Sequence, residues 1–512
     1  MSAIESRPGS SDAAVIDVGS NSVRLVLYRL DGRAIWSVFN EKVLAGLGRD
    51  IARTGSLAPE GVAAALTALR RFRALIDASR PAHVFTAATA AVREARDGPQ
   101  FRRRVEAETG IELRVLSGEE EARLAALGVL AGAPQAQGLV GDLGGASLEL
   151  MRLNAEASGP GTTLPLGPFS VAQPGRFDPA RVRTAIEHSI TSEVRRAFRA
   201  DTLNAVGGAW RNLALLQMRI SDYPLEIVHQ YEIGRRDLLD LARFVSQQSR
   251  GSLERIEGIS KRRLENLPHA AVVLEGLIER LDIQRVSLSA FGVREGLLLR
   301  SMTEEIRRRD PLLAGCAALG GRPAVAAALG QALQDWIMPA FSRLPPVFGA
   351  RENTLIAAAS RLAELGAALH PDHRAELVFE QVLRAPLAGL DHPERVFLAC
   401  ASFARHTATT AMPRPQLVSR LLTPERHQRA RALGAGLRLG CELSGRNPEL
   451  LMHARLSLKP GAVSLEADDD WAPLLLGEQT GKRAATLAQL LDRELRLKPA
   501  ATKSRTTAAV PS

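Results

Sequence analysis

The chain has 512 residues, of which 46% are hydrophobic, and 66 Lys and Arg outnumber 56 Asp and Glu for a formal net charge of +10. Such a length predicts two to four domains, and the basic balance attracts polyanions at long range. No stretch approaches the roughly 18 apolar residues of a membrane span, the first dozen residues lack the apolar core of a secretory signal, Cys316, Cys400 and Cys441 are too widely spaced for a disulfide frame or a zinc site, and 4% aromatic residues supply few stacking platforms for nucleic acid. The expectation is a soluble cytoplasmic protein with no membrane or nucleic-acid partner and with reduced, buried thiols.

Residues 1–12 are expected to be a disordered N-terminus. Residues 14–18, 24–30 and 34–40 then predict consecutive strands, and residues 59–78 predict a helix with proline at its start. A strand at 84–88, a helix at 100–109 and a strand at 111–116 follow. Ser117-Gly-Glu-Glu120 has capping-box spacing, which sets Glu119, Glu120 and Glu121 in the first turn of a helix, where its dipole favours carboxylates. A second α/β set begins near residue 138 and continues to about 301, with Val206-Gly-Gly208 as a strand-to-turn junction. The Arg and Lys clusters at 102–104, 195–196, 261–263 and 307–309 read as solvated helix faces.

From residue 302 to 497, long Ala/Leu/Arg-rich segments predict a mainly helical region. A small hairpin is expected there, from 451–456 and 462–465 around Pro460 and Gly461. His370, His373, His392 and His406 lack an adjacent His-Asp pair and read as surface or core histidines. Gly477-Glu-Gln-Thr-Gly-Lys-Arg483 falls short of a phosphate loop by spacing and by Arg483, and reads as a turn and helix start. Residues 498–512, rich in Ala, Thr, Lys and Ser, are expected to be a disordered tail.

Two short stretches carry the chemistry. Val15-Ile-Asp-Val-Gly-Ser-Asn-Ser22 and Val140-Gly-Asp-Leu-Gly-Gly-Ala-Ser147 are each an apolar run ending in an aspartate and a turn of small residues. Gly19, Ser20, Asn21 and Ser22, and Gly144, Gly145, Ala146 and Ser147, are placed to aim N–H groups and hydroxyls at phosphate, with Asp17 and Asp142 beside them for a divalent cation. A matched pair predicts a duplicated domain, residues 13–135 and 136–301, with a cleft between the copies.

These stretches, read on as Ile16-Asp-Val-Gly-Ser-Asn-Ser-Val-Arg-Leu25 and Gly141-Asp-Leu-Gly-Gly-Ala-Ser-Leu-Glu149, with Gly46-Leu-Gly-Arg-Asp50, Thr54-Gly-Ser-Leu57, Thr86-Ala-Ala-Thr-Ala-Ala-Val-Arg-Glu-Ala95, Ser117-Gly-Glu-Glu-Glu-Ala-Arg-Leu124 and Val206-Gly-Gly-Ala-Trp-Arg-Asn-Leu213, resemble the exopolyphosphatase and guanosine pentaphosphate phosphatase family of the actin and sugar-kinase superfamily. The resemblance implies an α/β fold of duplicated actin-like (ribonuclease H-like) domains with an interdomain cleft, followed by a mainly α-helical HD-like C-terminal region. It implies Mg²⁺-dependent removal of the terminal phosphate of linear polyphosphate, with Glu121 as general base, Glu120 as the alternative base and Glu119 serving the cap. Arg93, Gly207 and Gly208 would join the phosphate contacts, and Asp142 and Glu149, with Asp17 facing them, would hold Mg²⁺. A homodimer is expected. Ala146 and Leu148 stand where the family has glycine and threonine. A left-handed backbone at Ala146 would cost about 1–2 kcal/mol, so either that residue is right-handed or the loop is shifted. Guanosine pentaphosphate is the alternative substrate, and a non-catalytic polyphosphate or nucleotide sensor is the alternative of another class. Nothing in the residues signals the adenine and alcohol pockets of a kinase.

Overall fold

The alternating pattern of the first 43 residues folds as three antiparallel strands, β1 (Ser11–Val18), β2 (Val23–Asp31) and β3 (Ala34–Val43), and β4 (His83–Ala88) joins β1 in parallel to give the order β3-β2-β1-β4. The second sheet repeats that plan. In it β5 (Gly138–Leu143), β6 (Leu148–Leu153), β7 (Gly161–Leu164) and β8 (Thr202–Val206) run in the order β7-β6-β5-β8, extended by β10 (Arg285–Leu288) and β9 (Glu232–Gly234). This computed structural model describes residues 11–154, 157, 159–171, 177–248, 251–252, 266–320 and 323–499. The expected terminal tails and the 261–263 cluster therefore lie outside it, except that β1 already begins at Ser11 and β13 (Glu494–Pro499) reaches Pro499. Two units are distinguished, Met1–Pro311 and Leu312–Ser512. Among the described residues no helix is long and apolar enough to cross a membrane.

Side-chain alternation assigns each face of the first sheet. Ala14, Ile16, Val18, Val23 and Leu25 pack with Leu66, Leu69 and Phe72 of helix Pro59–Ser79 and with Phe101 and Val105 of helix Gly98–Thr109. Ala13, Val15, Val26, Tyr28 and Leu30 face the other way, onto Leu124 and Ala131 of helix Gly118–Gly132 and Leu297, Leu298 and Leu299 of helix Val293–Ser301. In the second sheet Val140, Met151 and Val206 meet Ala122, Ala125, Ala126 and Val129 of that same Gly118–Gly132 helix. The helix is thus shared by both sheets. Its partner Val293–Ser301 runs antiparallel to it, with Glu120 opposite Arg300, Leu124 opposite Gly296 and Gly128 opposite Gly292; a Cβ at Gly296 would overlap the Leu124 carbonyl oxygen and one at Gly128 the Gly292 carbonyl oxygen. Helix Val293–Ser301, expected at the end of the second α/β set, therefore packs on the first sheet.

Three local expectations change. Residues 111–116 form only a single bridge, Val115 to Ala88, because the Thr86 hydroxyl takes over the edge: it donates to Glu112 O (2.8 Å) and accepts from Arg114 N (3.1 Å). Ser117 caps its helix by accepting from Glu120 N (3.1 Å), but the reciprocal arm of a capping box is absent because the Glu120 carboxylate is held by Arg114 and by Arg300 (2.7 Å). Glu119, assigned to the cap, is exposed and faces Arg123 (3.8 Å). In the C-terminal unit residues 448–451 are helical, and the hairpin starts later, as β11 (Ala454–Lys459) and β12 (Ala462–Ala467) around Gly461 with φ +70°. Helix Glu478–Leu490, capped by Gly477, then leads to β13, which adds to β12 in parallel. The three cysteines are buried, and none is in a disulfide.

The two small-residue turns are superimposable in their bonding. Gly19 N donates to Ser22 O and Gly144 N to Ser147 O, each at 2.9 Å, and a Cβ on either glycine would stand 3.4 Å from that serine oxygen. Ala146 has no positive φ, so it lies outside the left-handed region and the alanine is unstrained. The turns meet at Gly145, where a Cβ would lie 3.0 Å from Ser20 Cβ and 3.3 Å from the Phe169 ring.

Two outcomes follow from this geometry. Gly145→Ala should lower the melting temperature and the activity together, since overpacking costs roughly 1–3 kcal/mol, whereas Ala146→Gly should cost no more than about 1 kcal/mol through unfolded-state entropy; urea titrations of both variants measure this, and a stabilised Ala146→Gly protein would contradict the unstrained assignment. In the C-terminal unit, burial lowers the His406 pKa to about 3, with Arg405 adding to the effect, and Nε2 sits 3.0 Å from Leu365 O. The fold binds neutral His406, so its contribution is full above the unfolded pKa near 6.5 and is lost as pH falls toward 3, by up to about 1.4 kcal/mol per pH unit. Melts of the full chain between pH 7 and pH 5 should drop less steeply for His406→Gln than for the parent.

Candidate active site

The strand register sets the charged residues in two matching rows. Asp17, on the β1 face that carries Ala13 and Val15, is paired across β1–β2 with Arg24, which is paired across β2–β3 with Lys42. In the second sheet Asp142 is paired across β5–β6 with Glu149, and Glu149 across β6–β7 with Thr163. Directly opposed side chains on neighbouring strands lie about 5 Å apart at Cβ. The first row therefore joins one carboxylate to two cations, and the second brings two carboxylates together.

Backbone carbonyls of both turns are tied back. Gly46 N and Gly48 N donate to Asn21 O (3.0 Å) and Ser20 O (2.8 Å); Phe169 N and Gly167 N donate to Gly145 O (2.8 Å) and Ala146 O (3.1 Å). Among the described residues, the N–H groups of Ser20, Asn21, Gly145 and Ala146 have no acceptor. Four free donors in two adjoining turns make an anion cradle. A third element is helix Gly208–Ile220, whose N-cap Gly207 has φ +114° and lies so close to β5 that a Cβ would be 2.6 Å from Leu143 O. Space beside Gly208 is open, so the positive end of that helix is accessible to anions.

Glu121 is buried, 7% exposed, at the N-terminal end of the shared helix. Arg93 Nη1 donates both to its Oε2 (3.0 Å) and to Leu116 O (3.0 Å). Burial pushes the Glu121 carboxyl up to about 7, against the pull of Arg93 and with help from Asp142 and Asp17. Asp142 is raised to about 6, by burial first, with Arg211 opposing. Burial also raises Asp17 against Arg294 and Arg24, and burial followed by Glu121 holds Glu149 well above the usual carboxylate range. Glu149 is 1% exposed; its Oε1 accepts from the Ser147 hydroxyl (2.5 Å), and its buried Oε2 has no partner.

Around the first row the cations crowd. Arg24 is lowered to about 10 by burial, Arg294 and Arg211, and remains charged at neutral pH; burial and Arg24 lower Lys42, and burial and Arg294 lower Arg211. Arg294 faces Asp17 at 3.8 Å and is held above its ordinary range, burial being outweighed by Glu295, Tyr28, Asp17 and Asp142. Its turn is fixed by Glu295, which accepts from Tyr28 OH (2.6 Å) and Gly292 N (2.8 Å).

The structure thus brings Asp17, Glu121, Asp142 and Glu149 together with both turns. It gives three of the expected residues other immediate partners: Arg93 holds Glu121, Ser147 holds Glu149, and Glu120 is engaged by Arg114 and Arg300. Among the described residues, no three His, Cys, Asp or Glu side chains are placed to hold a metal ion by themselves. Arg24, Lys42, Arg211, Arg294 and Glu295 were not singled out in the sequence. Arg24 and Arg211 each lay inside a quoted block; Lys42 and Arg294 carried no such signal.

Comparison with known proteins bears on the family and the fold. The model of the Ppx/GppA phosphatase family matches residues 26–305, and that of the exopolyphosphatase C-terminal region matches residues 324–498. Exopolyphosphatase 1 of Mycobacterium tuberculosis is 27% identical over 328 residues, which cover 60% of this chain and 95% of that protein. Among solved structures, an exopolyphosphatase from Cytophaga hutchinsonii has a TM-score of 0.52 at 22% identity, covering 56% of this chain and 96% of its own. The Aquifex aeolicus member of the Ppx/GppA family has a TM-score of 0.50 at 24% identity, covering 57% and 97%. These likenesses support the duplicated actin-like fold, and the span of the family match makes the conclusion plain: the chain belongs to the Ppx/GppA phosphatase family and is a phosphoanhydride hydrolase.

Proposed function

We propose that this chain is an exopolyphosphatase that removes the terminal phosphate of linear polyphosphate by direct attack of water, with Glu121 as general base. One observation carries the reading: a buried carboxyl poised near 7, beside two turns whose four free N–H groups form an anion cradle. The name of the mycobacterial relative and the match of the C-terminal region favour polyphosphate over guanosine pentaphosphate, as does the net charge of +10.

Phosphoryl transfer needs mainly positioning and charge stabilisation. In this reading the N–H groups of Ser20, Asn21, Gly145 and Ala146 hold the terminal phosphate, each bond to a charged oxygen being worth roughly 1.5–3 kcal/mol. Glu121 accepts a proton from the water as its oxygen bonds to phosphorus. The bridging P–O bond breaks, its electron pair stays on the departing chain, and Arg93 keeps the Glu121 carboxylate in place throughout. Asp142 and Glu149 fit a Mg²⁺ ion, since two opposed carboxylates, one with a buried unpartnered oxygen, favour a cation between them. Mg²⁺ commonly takes one or two protein carboxylates and fills its remaining positions with substrate phosphate and water. When bound it would neutralise phosphate charge and fix the phosphate's orientation.

Glu121→Gln should lower kcat by roughly 10²–10⁴-fold while preserving the melting temperature. Because the base must be deprotonated, kcat/KM of the parent should fall as pH drops below about 7; the variant should lose that limb. Near-normal turnover in Glu121→Gln would remove it from the mechanism.

Phosphate release from long polyphosphate, short polyphosphate, guanosine pentaphosphate and ATP, measured at several salt concentrations, tests the substrate. Long chains should be processed fastest, with affinity falling steeply as salt rises, and all turnover should vanish with chelator and return with Mg²⁺. Preference for guanosine pentaphosphate with little salt dependence would replace the reading with that of a nucleotide phosphatase. Binding of polyphosphate without hydrolysis would make the chain a sensor.

A further inference from the structure

The C-terminal unit holds a cavity of about 390 Å³ between helix Pro323–Phe341 and the outer edge of β11, a volume near the lower end of the range for small-ligand sites. Both walls come from regular structure. On the helical side Asp335, Pro339 and Arg343 recur at every fourth position and so share a face; Arg343, in the turn that continues the helix, lies about 12 Å beyond Asp335. Pro339, in the middle of that stripe, carries no N–H for the Asp335 carbonyl.

On the sheet side the hairpin decides which groups face outward. With a two-residue turn at Pro460 and Gly461, the pairs Lys459–Ala462, Ser457–Ser464 and Arg455–Glu466 exchange their hydrogen bonds inside the ladder, and Ala454, Leu456 and Leu458 turn theirs away from β12. The observed bonds agree: Trp336 Nε1 donates to Ala454 O and Arg343 Nη1 to Leu458 O, each at 3.0 Å. Between them the N–H and C=O of Leu456 have no partner among the described residues, although Leu456 is buried and buried main-chain groups are nearly always paired. Trp336 and Arg343 also stop the edge at both ends, so a strand of another protein cannot run through. What is open is the gap from Ala454 to Leu458, roughly 13–14 Å.

The two ends of this slot differ in charge. At the Ala454 end stand Asp335, whose Oδ1 accepts from Gln331 Nε2 (2.8 Å), and Asp468, paired with His453 Nδ1 (3.0 Å). Arg455 and Glu466 oppose each other across the hairpin on the rim, and Glu466 is also held by Lys459 (3.2 Å) and Ser464 (3.1 Å). At the Leu458 end the Arg343 guanidinium bonds that carbonyl, and among the described residues no carboxylate pairs with it. The slot is acidic at one end and cationic at the other, with one main-chain donor and one acceptor between.

We propose that this slot binds an extended zwitterionic tripeptide, its ammonium at Asp335 and Asp468 and its carboxylate at Arg343. That polarity makes the ligand parallel to β11. In a parallel pair the N–H and C=O of one residue go to two different residues of the facing chain: Leu456 N–H donates to the first carbonyl of the tripeptide, and Leu456 O accepts from the N–H of its third residue. A dipeptide has no third residue, and a longer peptide overruns the stops, since three residues already span about 10–11 Å. The central side chain falls on the buried face that Leu456 shares with Ala454 and Leu458, so it is small. The site stands on the C-terminal unit alone and is independent of the hydrolytic reading.

Full-length protein is titrated with trialanine up to roughly 10 mM and followed by saturation-transfer NMR, beside dialanine, N-acetyl-trialanine, trialanine amide and the doubly blocked peptide. Trialanine should bind saturably, and dialanine and the doubly blocked peptide at least about fivefold more weakly. Asp335→Asn should weaken trialanine by about two- to fivefold, the range for one exposed charge pair, and abolish the preference for a free amine over N-acetyl. Asp335 is exposed, so this variant keeps the fold, which a melt confirms. The carboxylate contact is read without altering Arg343, from the amide against the free acid in the parent protein, which should differ by a similar factor. Absence of saturable trialanine binding, equal affinity for the doubly blocked peptide, or unchanged affinity in Asp335→Asn overturns the site.

Discussion

Everything in the N-terminal unit depends on how closely helix Gly118–Gly132 can be gripped. Beyond its first two turns, where Glu119 and Arg123 are exposed, it is apolar nearly all round, and it packs on the first sheet through Leu124 and Ala131 and on the second through Ala122, Ala125, Ala126 and Val129. A helix buried on every side has no surface left for long polar side chains, and one wedged between two sheets and another helix must be slim. The sequence meets that demand with alanine and glycine: at Gly128 and Gly296 the two helices touch main chain to main chain. Because the helix is thin, the ends of β1 and β5 come near each other, Gly145 rests on Ser20, and the carboxylate at the head of the helix is delivered to the place where the two turns meet.

Duplication then supplies chemistry that a single copy lacks. One turn of small residues gives two or three N–H donors, a weak anion site; two turns joined edge to edge give a cradle that can hold a tetrahedral phosphate from more than one side. The copies kept the aspartate and the turn bonding but diverged at the cross-strand positions, Arg24 against Glu149 and Lys42 against Thr163. Divergence at register-matched positions gives the cleft a direction while leaving the backbone scaffold nearly symmetric. The buried salt link of Arg93 with Glu121 and Leu116 O adds stiffness at the acidic end. A guanidinium that bonds a carboxylate and a main-chain carbonyl at once fixes the side chain against the segment that enters the helix as well as against the helix.

The parts legible in the sequence were those decided locally. Turn composition after Asp17 and Asp142, the Ser117 cap and the glycine junction at Gly207 each express a backbone requirement within four or five residues, and each is present where expected. The turns even kept their bonding with alanine at position 146, because that φ is not positive. What escaped detection was set by distant partners. Residues 111–116 have the composition of a strand, yet the hydroxyl of Thr86 takes hydrogen bonds that a ladder would have used. Lys42 looks like an ordinary edge lysine until register places it beside Arg24, and Arg294 becomes part of the site only through the antiparallel packing of two helices far apart in the chain. The roles of Arg93 and Ser147 shifted for the same reason: resemblance indicated the cleft, but not the carboxylates they meet there.

The raised carboxyls have a further consequence. Glu121 near 7, Asp142 near 6 and Glu149 held well above the usual carboxylate range mean that around neutrality this small volume stores protons, kept there because burial and mutual repulsion disfavour the fully ionised state. A cation entering between the carboxylates, as proposed for Mg²⁺, would favour that ionised state and expel the protons, making metal occupancy and proton release one linked equilibrium. For the Mg²⁺ ion proposed here, affinity would then be governed by the acidity of the surroundings as much as by the positions of the oxygens.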